Sequence, residues 1–158
     1  MSKRQVESYY KKQLKICEQL VSHNTTTNNL ELNKIGSDLL GDRFMGVYSK
    51  DTIPWASLVD SPGNCCIANV EIASDPGTHW IALYGPSDTR FPILYDSFGR
   101  EFNEILTTTA DYKMRRKEVT LTEGDAEQRV SEKNCGQRCL AFLATCQKFK
   151  KTNQIFYV

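Results

Sequence analysis

Residues 134–149 read NCGQRCLAFLATCQKF. Within this stretch Cys139, Phe142, Leu143 and Cys146 return at spacings of three and four, which predicts a helix running from Cys135 to Phe149 with an apolar face. Cys135 then stands at the helix start. There the first N–H groups lack carbonyl partners and the helix dipole favours negative charge, so a thiol gains thiolate character, and a nearby imidazolium adds to it. Gly136 lets a substrate backbone come close, whereas Cys139 and Cys146 face the core as small hydrophobes.

A nucleophile on a helix needs a rigid base beside it, and the sequence upstream supplies candidates. Past Gly46, runs rich in β-branched and aromatic residues alternate with the turn signals SPGN, DPG and GPSD, predicting strands near 65–72, 79–84, 92–96 and 117–121. QIFYV predicts a terminal strand. In THWIALY (78–84) a strand would hold the His79 imidazole, with Trp80 shielding one side. In ILYDSFGR (93–100) Asp96 follows an apolar run, from which its carboxylate can bond the other ring nitrogen and set the tautomer. Gln128, seven residues before Cys135, can add its side-chain NH₂ to the Cys135 N–H in binding an oxyanion.

Nearer the N-terminus, Val6, Tyr10, Leu14, Cys17 and Val21 form an apolar stripe between lysines, an amphipathic helix over residues 5–22. The polar run SHNTTTNN (22–29) offers an N-cap to a second helix carrying Leu32, Ile35, Leu39 and Leu40, stopped at Gly41. The chain thus divides into an N-terminal helical extension, 1–28, and one α+β domain, 29–158. With 158 residues, 40% hydrophobic and 25% charged, one compact core is expected. A net charge of +1 marks neither a nucleic-acid nor a membrane binder. No run approaches the roughly 18 apolar residues of a membrane span, and MSKRQVESYYKK lacks a signal peptide's apolar region. An intracellular protein with six reduced cysteines is the expectation.

Together, GTHWIALY, LYDSFG, and Gln128 followed by NCGQRC resemble the His-Trp, acid, Gln and Cys-Gly motifs of the adenain family, the adenovirus maturation endopeptidases. Upstream, LELNKIGSDLLGDRFMGVYSKDTIP and CCIANVEIASDPGTHW resemble that family's N-terminal helix, FxGxY segment and first core strand, so the resemblance covers roughly residues 30–146. Compact proteases of virophages and Polinton-type elements are similar as well. The resemblance implies a papain-like core, a central mixed or antiparallel sheet packed on the nucleophile's helix, with Cys135 as nucleophile, His79 as base, Asp96 as orienting acid and Gln128 in the oxyanion hole. It implies a monomeric cysteine endopeptidase of virions and the host-cell assembly site, cutting capsid precursor proteins at Gly-containing sequences. A weak nucleic-acid contact is implied too, since the adenovirus relative uses DNA as a cofactor; otherwise no cofactor, metal or membrane is implied. Glu118 stands where the family has the cysteine that captures an activating peptide, so no disulfide-linked activator is expected.

Each residue also has an ordinary reading: Cys135 as a buried small hydrophobe, His79 as a satisfied core histidine, Asp96 as a turn residue, Trp80 as core. Only their joint occurrence points to chemistry. Cys65, Cys66, Cys135 and Cys139 contain no Cys-x2-Cys pair, and adjacent cysteines on a strand face opposite ways, which argues against zinc. KMRRK (113–117) and KFKK (148–151) read as solvated surface. Two further functions compete: a SUMO- or ubiquitin-like deconjugating peptidase, which shares these motifs, and an inactive relative, disfavoured by four intact chemical positions. Deconjugating enzymes place the glutamine six residues before the cysteine; here it is seven, as in adenain. Asp96 points the other way, because adenain has glutamate there.

Overall fold

The structure, a computed structural model, describes residues 3–21, 28–72, 75–88, 92–97, 120–121 and 134–151. Helix α1 (Lys3–Leu20) buries Val6, Tyr10 and Cys17 along the expected stripe. Helix α2 (Asn29–Leu40) starts with a capping box: the Glu31 N–H donates to Asn28 Oδ1 at 2.9 Å, and Glu31 accepts from the Asn28 N–H. It stops at Gly41, whose φ of 72° is a conformation that glycine adopts without a Cβ clash.

Among the described residues, five strands form one mixed sheet in the order β1-β2-β3-β4-β5. They are β1 (Phe44–Ser49), β2 (Cys65–Ile72), β3 (Asp75–Tyr84), β4 (Ile93–Tyr95) and β5 (Thr120–Leu121). The outer pairs β1–β2 and β4–β5 are parallel; β2–β3 and β3–β4 are antiparallel. Alternation assigns the two faces. Cys65, Ile67, Trp80, Ala82, Tyr84, Ile93 and Tyr95 join the helices in one core, while Cys66, Ala68, Val70, Ile81, Leu83 and Leu94 join Ile53 and Leu58 in another. Adjacent Cys65 and Cys66 therefore fall in different cores, as the strand period requires, and do not share a site.

The last helix, α4 (Cys135–Phe149), is the centre of the larger core. Three neighbours enclose it. Phe142 stacks on Tyr95 of the sheet at 4.4 Å with planes 6° apart; Phe149 meets Tyr9 of α1 edge-on at 5.5 Å; and the Gln147 side-chain amide donates to the Leu40 carbonyl of α2 at 2.9 Å. The sequence predicts a single apolar face, yet the helix is buried nearly all round.

This is an α+β architecture, as expected. Two elements go beyond the sequence reading. Strand β1 was not anticipated because Gly46, at φ 120°, and a register shift between Phe44 and Val47 break its period, which the neighbouring β2 nevertheless completes. Helix α3 (Trp55–Asp60) is six residues long, too short to show periodicity. It docks through Leu58 close to the end of β3, where a Cβ on Gly85 would collide with the Leu58 carbonyl. Most of the predicted 117–121 strand, and all of QIFYV, lie outside the described residues; only Thr120–Leu121 is seen, as β5. Among the described residues no helix is long and apolar enough to cross a membrane.

Candidate active site

The register of β3 and β4 sets two of the predicted residues together. Ala82 pairs with Tyr95 and Leu83 with Leu94. Continuing by one step sets Asp96 opposite Ile81, so His79, two residues along β3, lies diagonally across on the same parity. The side chains meet: His79 Nε2 and Asp96 Oδ1 are 2.5 Å apart, and both side chains are almost wholly buried. Nε2–H donates to the carboxylate, which makes Nδ1 the ring's second nitrogen for proton exchange.

Cys135 arrives from the other direction, as the first residue of α4. It lies near enough to the His79 ring to help raise the ring's proton affinity. Nε2 is bonded to Asp96, and Nδ1 is shut off from solvent. The imidazole thus bonds Asp96 and feels Cys135 as well. Trp80, beside His79 in sequence, belongs to the same core as Cys135.

The electrostatics of the ring are decided by competition. Burial by itself disfavours the imidazolium and lowers its pKa; the hydrogen bond the ring donates to Asp96, then the interaction with Cys135, together with their charges, reverse this and carry His79 up to about 9 from an ordinary 6.5. The ring is therefore built to hold a proton beside the sulfur. The remaining cysteines differ. Burial pushes the Cys17 and Cys65 thiols up to about 12 and raises Cys66 and Cys146 as well, keeping them protonated and inert.

The first turn of α4 is closed by Asn134, which immediately precedes Cys135. Its carbonyl accepts the Arg138 N–H at 2.9 Å and its Oδ1 accepts Arg138 Nε at 3.2 Å. Asparagine before a helix suggests an N-cap, but here the side chain binds Arg138 instead of capping the helix. As the first helical residue, Cys135 has a backbone N–H at the helix N-terminus, the kind of donor an oxyanion needs. Gln128, the second predicted donor, lies outside the described residues.

One group escaped the sequence reading. Tyr95, directly before Asp96, is fully buried and is held by Phe142 on one side and by the Tyr10 hydroxyl, 2.8 Å from its own, on the other. Tyr10 shows in the sequence as a member of the α1 stripe and Tyr95 as an apolar strand residue; nothing local pairs them across 85 positions. Compared with known proteins, the chain matches no protein-family model and no curated protein.

Proposed function

We propose that this chain is a cysteine endopeptidase with a papain-like core of the adenain type, acting on capsid precursor proteins during virion maturation. The observation that supports this best is the single buried imidazole bonded to Asp96 through Nε2 and influenced by Cys135, whose thiol stands at a helix start. Such a ring can take the thiol proton while the carboxylate holds its tautomer. Sulfur then attacks the scissile carbonyl, and the oxyanion is stabilised by the Cys135 N–H and Gln128. His79 returns the proton to the leaving amine, and water, deprotonated by the same ring, hydrolyses the thioester. Monomeric action in the virion and at the host-cell assembly site, with Gly-containing cleavage sites and a weak nucleic-acid contact, completes the reading.

The test is incubation of the full chain with candidate capsid precursor proteins and mass-spectrometric mapping of new termini, with Cys135→Ala as control. New termini at Gly-containing sites that depend on Cys135 are the expected result. Asp96 in place of the family's glutamate favours a second reading, a SUMO- or ubiquitin-like deconjugating peptidase. Cleavage of such conjugates with intact capsid precursors would replace the first reading by the second.

A further inference from the structure

Strand β4 is three residues long, so its ladder alone gives the Asp96 backbone few restraints. Tyr95 adds to them. It is 1% exposed, its ring lies flat on Phe142, which is seven residues and two helical turns beyond Cys135, and its hydroxyl meets the Tyr10 hydroxyl. Tyr10 also packs against the same ring, centroids 6.5 Å apart at 63°. One tyrosine therefore joins the helix of the nucleophile, the strand leading to the acid, and α1.

We infer that α1 is an intramolecular positioning element for the active site, and that Tyr10 acts through Tyr95 to hold Asp96 against His79. The inference rests on the proposed role of Cys135, His79 and Asp96. Tyr10 acts through Tyr95 and is a positioning residue. Its hydroxyl is the only part of the contact that a conservative change removes, because phenylalanine keeps the ring against Tyr95. Attachment in the same chain makes the hold independent of protein concentration.

Nuclear magnetic resonance of the histidines in the full chain tests this directly, because the sequence has two, His79 and His23, and His79→Gln identifies the signal. The groups that set the His79 titration are Asp96 and Cys135. In Tyr10→Phe the loosened carboxylate should move the His79 midpoint down, equivalent to a roughly two- to tenfold change in its proton affinity, the range expected for one lost hydrogen bond. Tyr95→Phe should give the same shift, and the double variant no more than either alone. Cys135 alkylation by iodoacetamide should slow by a similar factor, and where a peptide substrate is cut, kcat should fall with KM unchanged. Tyr9→Ala is the control: it removes the Phe149 contact of α1, so thermal stability should fall while the His79 midpoint stays. An unmoved midpoint in folded Tyr10→Phe, or an equal shift in Tyr9→Ala, overturns the inference. No substrate enters the titration, so a protein that cuts nothing yet shows the shift refutes the protease reading and leaves the role of Tyr10 standing.

Discussion

The coupling of His79 to Asp96 should be visible as a pH dependence of stability. A folded pKa near 9 against about 6.5 in the unfolded chain means that between these values the native state binds the proton and the unfolded state has lost it. Stability is then fully present below about pH 6.5 and falls as pH rises toward 9. At about 1.4 kcal/mol per pH unit, the upper limit over this window is about 3 kcal/mol. Wild type can hide the effect: if Cys135 hands its proton to the ring, the number of bound protons does not change. Cys135→Ala removes that exchange along with one of the interactions that raise the pKa, so about 1 to 3 kcal/mol is expected in this background. The assay is urea unfolding at fixed ionic strength from pH 6 to 8.5, below the range where unfolded cysteines ionise extensively. Adding Asp96→Asn should abolish the decline, because burial then dominates and His79 stays neutral in the folded protein. A flat profile in Cys135→Ala, or the same decline with and without the carboxylate, would refute the reasoning.

The mechanism predicts that Cys135→Ala abolishes cleavage in a folded protein, whereas Cys139→Ala and Cys146→Ala, at fully buried positions, lower the melting temperature and leave the chemistry in place; peptide mass mapping and thermal unfolding read the two effects. Iodoacetamide at pH 8 should label Cys135 first and His79→Ala should slow the labelling, since thiols at about 12 such as Cys17 and Cys65 are only about one part in ten thousand ionised there. Gln128→Ala should lose about 2.7 to 4 kcal/mol of transition-state stabilisation, measured as kcat/KM; a wild-type rate removes it from the mechanism. Deleting residues 1–27 should reduce activity, while millimolar reductant should leave the full chain active, because Glu118 cannot form a disulfide with an activating peptide.

The sequence by itself determined the pieces whose information is local. The α4 helix from Cys135 to Phe149, the stripe of α1, the cap and stop of α2, and strand β2 follow from spacing and end signals. The motif order also singled out His79, Asp96 and Cys135 as joint candidates, because thiol chemistry needs those three types. What only the tertiary structure decided is where these groups meet. The β3–β4 register, not any local signal, sets His79 and Asp96 on one parity, and the docking of α4 brings Cys135 near enough to act on the His79 ring. Strand β1 exists because β2 offers it a ladder, despite Gly46 breaking its pattern. The Tyr10–Tyr95 bond was illegible for the same reason: each residue obeys its own helical or strand period, and their pairing arises only when α1 and β4 pack against one helix.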